Sequence, residues 1–280
     1  MFNFRKRMEN RQRGIVMIVN DADTHVEMIP QHEHARISAA LFEKWGDASV
    51  YQDVLWNELL VAVREHDRAW IPLDASPLLD KFGKPYSFID YPEGPKIKAY
   101  QHGIESVAEK HIYSGLLVSR HYASFFESSQ TESGRRFLQS ERQRQQRWRK
   151  RQQRWRKKLN DPQTEEFHLK VLQFCDDASL YVCMNKPGAA KHEEISWFKD
   201  GFRQQFSFLN NRKIHAHFYT SDTIKMDPFP LLTNLEITIN GIVVDKQQIV
   251  KKGIKKAYFD GRPCLRNFRF VPSLEVDSKE

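Results

Sequence analysis

Cysteine is scarce in this sequence, with 3 in 280 residues. Cys175, Cys183 and Cys264 stand in no metal-binding or redox spacing, so we expect reduced structural thiols rather than disulfides or a thiolate zinc site. No apolar run approaches the roughly 18 residues that a membrane span requires. A short apolar stretch follows the basic N-terminus, but it ends at Asn20-Asp21 without a signal-peptide cleavage site. We therefore expect a cytoplasmic protein that does not enter a membrane.

An even spread of positive charge is also lacking, although the formal net charge is +8. Residues 135–158 contain 12 Lys or Arg and one Glu, a local charge of +11 that leaves −3 for the rest of the chain. This distribution indicates a mildly acidic body with one basic segment. It disfavours a nucleic-acid-binding surface that covers the whole protein.

The basic segment contains a tandem repeat. The heptapeptide Arg-Gln-Gln-Arg-Trp-Arg-Lys occurs at 144–150 and again at 151–157, and on a helix this spacing aligns Trp148 with Trp155. No Leu or Ile stripe accompanies them, which disfavours a coiled coil. Two interpretations stay open: a solvated helical insertion that projects from the body, or an arm whose Arg and Trp side chains contact phosphates and bases.

The remaining chain predicts an α+β fold. Hydrophobic residues make up 40% of the chain and aromatic residues 12%, enough for an extensive core. Helical periodicity covers residues 31–185, within which the basic segment 135–158 is a helical insertion. An antiparallel β region follows at 196–272, with a tail at 273–280. The runs Ile15 to Val19 and His25 to Ile29 predict strands in residues 1–30 that join this sheet.

Several local signals refine the β region. Asn240-Gly241 between LEITI and IVV predicts a hairpin turn, and Asp260-Gly261 predicts a second one. FRQQFSFL and KKAYF are also predicted as strands. His215 and His217 lie on one face of the strand predicted from KIHAHFY, and we interpret them as surface or sheet-packing residues.

A connection rich in Pro and Gly occupies residues 71–95. Such a loop in a compact domain is often a lid or a binding loop, and the alternative is a packed surface loop. Tyr86, Phe88 and Tyr91 predict an apolar, partly buried underside. The loop directly follows the most suggestive dipeptide of the chain.

That dipeptide is His66-Asp67, at the end of a helix predicted over 50–66. An imidazole and a carboxylate at one helix end can both lean toward the cleft beyond it and offer a nitrogen and an oxygen to one metal ion. Further candidates are His34 in the first turn of the preceding helix, with His32 as the spare, and Asp176 in a later helix. Two more histidines complete the set: His111, and His121 on a predicted buried face.

The spacing His34, His66-Asp67, Asp176 resembles the His…His-Asp…Asp signature of the HD superfamily of helical, metal-dependent phosphohydrolases. The chain also resembles a bacterial family of unknown function catalogued under the number 3891, through HEHARIS, EHDRAW, YSGLLVSRHY, FCDDASLYVC and DPFPL. The resemblance implies an HD-like all-helical bundle beside the sheet. This sequence departs from many HD proteins after the His66-Asp67 pair, where Arg68-Ala69-Trp70 stands in place of a Gly and a Lys.

The HD resemblance further implies a divalent ion (Mn, Fe, Zn, Mg or Ni) and a small phosphorylated substrate. His34, His66, Asp67 and Asp176 would ligate the ion, and His121 and His111 would serve a second ion or the substrate. Asp67, Arg68 and His121 are the expected catalytic residues, with Arg68 acting electrostatically in place of Lys.

Two other functions stay open. One is a non-catalytic binding protein with a vestigial pocket, whose segment 135–158 meets an acidic partner such as RNA. The other is a sensor that binds a small ligand beneath the 71–95 loop without turnover. In either case the His and Asp side chains would pair with one another and with the backbone.

Overall fold

Six strands form a single sheet in the computed structural model, which describes residues 17–153 and 161–273. The strand order is β1-β2-β5-β6-β4-β3. The N-terminal strands pair with β5 through β2, which confirms that they join the C-terminal sheet. The strands are β1 Met17–Asp21, β2 His25–Pro30, β3 His215–Phe218, β4 Thr223–Asp227, β5 Leu235–Asp245 and β6 Arg262–Pro272.

Most of the α-helices lie between β2 and β3 in the sequence, with short 3-10 turns at a few places. The α-helices are α1 Gln31–Phe42, α2 Trp56–Glu65, α3 Ile71–Asp74, α4 Glu93–Ala108, α5 Ile112–Ser124, α6 Glu132–Gln153, α7 Pro162–Met184, α8 Lys246–Lys252 and α9 Ile254–Phe259. The 3-10 turns are Ala48–Gln52, Arg68–Trp70 and Ser207–Leu209. Local signals set several helix ends: α7, for example, begins at Pro162 after Asp161, whose carboxylate accepts from the backbone N–H groups of Gln163 and Thr164.

The hairpin signals led us to expect a purely antiparallel sheet, and that expectation is wrong. β4 and β6 run parallel, with Thr223 opposite Arg269 and Met226 opposite Pro272. The chain enters β6 from helices α8 and α9 rather than from a turn next to β4. The physical reason is that β5 lies between them in sequence and reverses the direction of the chain.

The predicted hairpin turn at Asn240-Gly241 is wrong. Both residues lie inside β5, where they face Leu265 and Cys264 of β6 in an unbroken antiparallel ladder. The Glu33 carboxylate accepts from the Asn240 backbone N–H at 3.0 Å and also from its side-chain amide. These bonds satisfy the Asn side chain without a turn, so the strand continues.

Two other predicted strands are wrong. The run 255–259 forms most of α9, because Ile254 and Ala257 bury one helical face against the sheet residues Val26 and Val244. The run 202–209 forms a loop and a 3-10 turn. Its aromatic residues Phe202 and Phe206 are buried against Phe174 of α7, so they fill the core without joining a strand.

The helices do not form a separate all-helical bundle. The main hydrophobic cluster runs without a break from helical residues such as Leu41 and Phe174 to the sheet residues Ile237 and Phe268. The described chain is therefore mixed α+β, with the sheet as one wall of the helical core. No helix within 17–153 or 161–273 combines the length and apolar character of a membrane span.

Candidate metal centre

Four helical elements bring five polar side chains to one buried point. His34 comes from the first turn of α1, His121 from α5 and Asp176 from the middle of α7. His66 and Asp67 directly follow α2, whose apolar residues Leu59, Ala62 and Val63 bury its other face. The five residues are at most 5% exposed. Their partners must therefore come from within the protein or from a bound ion.

The donor atoms lie within ligating range of one another. The Nε2 atom of His34 is 2.6 Å from Asp67 Oδ2, and the Nε2 atom of His66 is 3.4 Å from Asp176 Oδ1. The Nε2 atom of His121 is 3.6 Å from Asp176 Oδ2. Two groups of three donors result, His34–His66–Asp67 and His66–His121–Asp176, each with all ligand atoms within 4.8 Å. His66 belongs to both.

Hydrogen bonds fix the orientation of His66. Its Nδ1–H donates to the Val63 carbonyl at 2.7 Å, so in the neutral imidazole the lone pair is on Nε2. That Nε2 atom is fully buried; Asp176 Oδ1 lies 3.4 Å away, but the atom makes no well-aligned hydrogen bond to any described residue. A histidine tied through one nitrogen to a backbone carbonyl, with the other facing carboxylates, is the usual arrangement of a metal ligand.

His34 is oriented in the same way. Its Nδ1 lies 2.8 Å from Ser179 Oγ, and that hydroxyl donates to the Asp176 carbonyl at 2.8 Å. With Nδ1 donating, the Nε2 lone pair would face the Asp67 carboxylate directly. The 2.6 Å contact between Nε2 and Asp67 Oδ2 needs either a proton between the two atoms or a metal ion beside them.

The electrostatics of the cluster favour a cation. Burial alone would lower the pKa of His66, but Asp67 and Asp176 together outweigh burial and raise the pKa to about 9. Burial would raise the pKa of each of the two carboxyl groups, yet the surrounding imidazoles hold both pKa values below the ordinary range. Burial lowers the pKa of His121 to about 4, so this imidazole is neutral at pH 7. The negative potential that protonates His66 also attracts a divalent cation.

The residues present therefore fit a metal ion. Three imidazole nitrogens and two carboxylates form the nitrogen and oxygen donor set that suits Zn, Mn, Fe or Ni. Tyr122 supports the set, since its hydroxyl donates to Asp67 Oδ1 at 3.3 Å.

Two predicted site residues lie elsewhere. His111 is exposed at the residue before α5 and is not among the groups that come together, so the structure does not place it beside an ion. Arg68 is tied to its neighbours: its Nη1 donates to Glu65 at 2.9 Å and its Nε to Ser106 at 2.9 Å. Those contacts give Arg68 a structural role that the sequence did not indicate.

Other histidines and acids near the motif have separate roles. Asp177 turns away from Asp176 and accepts from Arg203 at 3.1 Å and Gln204 at 2.8 Å. His32 lies in the first turn of α1 and borders the cluster. Burial lowers its pKa, and the nearby Asp67 carboxylate opposes that shift. His215 and His217 are exposed on the edge strand β3, where the sequence placed them.

Sequence reasoning missed two residues that hold the cluster. Ser179 lies three residues after Asp176, which places both on one face of α7, and Tyr122 directly follows His121. The i, i+3 spacing to a suspected ligand was the available signal for Ser179. A Ser side chain has so many structural uses that this spacing alone does not single it out.

The 71–95 connection packs as expected on its aromatic underside. Tyr91 is buried and its ring lies 6.0 Å from those of Trp70 and Tyr86, while Phe88 is half-buried against Trp197. Its ends are helical, at α3 and at the start of α4, so the irregular part is shorter than predicted.

One family profile matches the chain. A family described as "Protein of unknown function (DUF3891)" matches residues 17–246, a range that contains all five residues of the cluster. No curated protein and no solved structure matches the chain.

Proposed function

The chain belongs to the DUF3891 family of proteins of unknown function. From its buried cluster we propose that it is an HD-type metal-dependent hydrolase of phosphate esters or nucleotides. Five residues would hold the ion: His34, His66, Asp67, His121 and Asp176. The fully buried Nε2 of His66 carries this proposal: the Val63 carbonyl orients it toward Asp176 at 3.4 Å, and it makes no well-aligned hydrogen bond to any described residue.

The order of the residues supports the HD type. A histidine comes from one helix, the His-Asp pair from the end of the next, and the last carboxylate from a distant helix, α7. The resemblance noted in the sequence has the same order. Arg68 does not take the place of the missing Lys at the pair, since it is held by Glu65 and Ser106.

A divalent ion held by these residues would acidify a water molecule and polarise a phosphoryl oxygen. The protein's own groups would then position the reactants. Tyr122 keeps Asp67 in place, and Ser179 keeps His34 in place. Neutral His121, whose Nδ1 has no partner among the described residues, would exchange a hydrogen bond with substrate or water.

The test combines metal analysis with a phosphoesterase screen. We expect purified protein to contain close to one or two equivalents of a divalent metal and to hydrolyse phosphate esters or nucleotides. His66→Gln should lose both the metal and the activity. His168→Gln is the matched control, because His168 is equally buried, 1% exposed, but bonds Tyr113 at 2.9 Å outside the cluster. Equal metal content in the two variants would overturn the proposal.

One observation favours a second candidate function. The five cluster residues are almost fully enclosed, at most 5% exposed, which suits an ion with a structural or sensory role in a non-catalytic binding protein. Stoichiometric metal that depends on His66, together with no turnover of any ester at any metal loading, would select this alternative.

A further inference from the structure

Glu132, in the first turn of helix α6, is exposed and pairs with Arg136. From Arg135 onward, the exposed side chains on the same side of the helix are only cations and amides. We call this surface the cationic face of α6; its eight exposed residues are Arg135, Gln139, Arg142, Gln143, Gln146, Arg147, Lys150 and Arg151. They follow the i, i+4 and i, i+7 rows of a helix and so share one side. Five are cationic, three are glutamines and none is acidic.

The opposite face anchors the helix to the body, so α6 does not project freely as the first interpretation of the repeat supposed. Phe137 and Leu138 are buried in the main core. Arg144 pairs with Glu105 at 2.8 Å, and Arg149 pairs with Glu165 at 2.6 Å. The attachment uses these two arginines and leaves the cationic face outward.

Between residues 135 and 151 the basic segment therefore has two kinds of cationic side chain. Arg144 and Arg149 neutralise acids of the body, whereas Arg142, Arg147, Lys150 and Arg151 form no ion pair within the described residues. Trp148 belongs to the anchoring side: it is half-buried, and the Arg144 guanidinium lies 5.6 Å from its ring centre. Only part of the Trp148 ring is thus available to stack on a base. Trp155 lies outside the described residues.

A surface groove runs along the first half of this face. It has a volume of about 390 Å³, and Arg135, Gln139, Arg142, Gln143 and Gln146 form one wall. Glu127 is the one acidic side chain among its lining residues. The groove thus combines guanidinium groups, which bind phosphates bidentately, with amides, which both donate and accept hydrogen bonds, and Phe126 and Leu138 add apolar lining.

We propose that the cationic face of α6 binds the phosphodiester backbone of a nucleic acid, with a strand lying in the groove. From Arg135 to Arg151 the helix rises about 24 Å, at about 1.5 Å per residue. Consecutive phosphates of one strand are about 3.4 Å apart along a duplex, so the face spans several of them. The proposal is independent of the hydrolase activity.

The composition of the face also disfavours binding to an anionic bilayer. A bilayer-binding helix needs large apolar side chains among its cations, and the eight residues include none. The glutamine amides match the donor and acceptor edges of bases, which an anionic lipid surface lacks.

The test is fluorescence anisotropy of labelled 20-nucleotide single-stranded RNA and DNA, and of the corresponding duplex, with the whole protein. Arg142→Glu/Arg147→Glu should weaken binding at least tenfold. The matched control is Lys251→Glu/Lys255→Glu, which makes the same charge change at exposed residues of α8 and α9. The control should change the affinity less than twofold. The ratio of the single-strand and duplex affinities identifies the form of nucleic acid that the face prefers.

A charge-neutral pair, Arg142→Gln/Arg147→Gln, covers the case in which the Glu variant does not fold. If both arginines contact phosphates, it should reduce the slope of log affinity against log salt by about 2. Three results would overturn the proposal: the wild type binds none of the oligonucleotides, the control weakens binding as much as the α6 variant, or phosphatidylserine vesicles bind and oligonucleotides do not.

Discussion

Gly103 of α4 lies directly against Ala69: a Cβ on Gly103 would be 2.6 Å from the Ala69 Cβ and 2.8 Å from its backbone nitrogen. Ala69 is in the 3-10 turn that starts one residue after Asp67. The close approach of α4 therefore holds the turn that positions the His-Asp pair, and only a residue without a side chain permits it.

Gly103→Ala should destabilise the protein by about 1–3 kcal/mol, since the added methyl group overpacks against backbone. It should also weaken metal binding, because Ala69 and the preceding His-Asp pair must shift. Gly94→Ala, in the same helix, is the control: a Cβ there meets nothing within 4 Å. Urea unfolding and metal titration of both variants provide the test, and equal stabilities would contradict this account of the contact.

Ser179→Ala should weaken metal binding by about 10–100-fold, as expected when the hydrogen bond that orients a ligating histidine is lost. Ser179 Oγ is the partner of His34 Nδ1 at 2.8 Å. Ser119→Ala is the matched change: Ser119 is also fully buried, but it donates to Glu141 at 2.8 Å, outside the cluster. A competition titration with a metal chelator measures both; a Ser119 variant that binds as weakly as the Ser179 variant would refute the orienting role.

Metal affinity should rise with pH up to about pH 9. The pKa of His66 is raised to about 9, so at neutral pH its imidazole carries a proton that an ion must displace. Below that pKa, each pH unit upward should tighten binding about tenfold if one proton is released. Isothermal titration in buffers of different ionisation enthalpy counts the protons. A metal affinity that is constant between pH 6 and pH 8 would show that the ion displaces no proton from His66.

Asp74→Asn should stabilise the metal-free protein more at pH 8 than at pH 5. Asp74 is fully buried, and burial raises the pKa of its carboxyl group well above the ordinary value. The folded chain thus binds this proton more tightly than the unfolded chain, so ionisation costs stability as pH rises. The change is at most about 1.4 kcal/mol per pH unit.

An asparagine keeps the acceptor for the Gln31 backbone N–H, which Asp74 Oδ2 now binds at 3.1 Å, but it does not ionise. Urea unfolding of both proteins at the two pH values, with chelator present, measures the difference. A stabilisation that is the same at pH 5 and pH 8 would mean that Asp74 does not keep its proton in the fold.

The sequence predicted the cluster better than it predicted the fold. His34, His66, Asp67, His121 and Asp176 were all candidates, and they meet within a few ångströms. His and Asp at buried helical positions demand partners, so their residue type and periodicity were informative. His111 failed as a candidate because it precedes α5 at an exposed position, which periodicity does not distinguish from a buried one.

Strand and turn signals failed where tertiary contacts decided the outcome. Asn240-Gly241 is a strong turn signal, but β6 pairs along both sides of it and Glu33 binds the Asn. The 255–259 run has the composition of a strand, yet its burial follows a helical face. The parallel pairing of β4 with β6 depends on contacts far apart in sequence, which local patterns do not report.

The bond between Glu33 and Asn240 joins two halves of the chain that look separable in the sequence. Glu33 is the immediate neighbour of His34, and β5 crosses the sheet between β2 and β6. The sheet therefore fixes the rotation and height of α1, the helix that carries the His34 imidazole. Helices transplanted from this chain to another scaffold would carry all five cluster residues but would lose the contact with β5 that aligns α1.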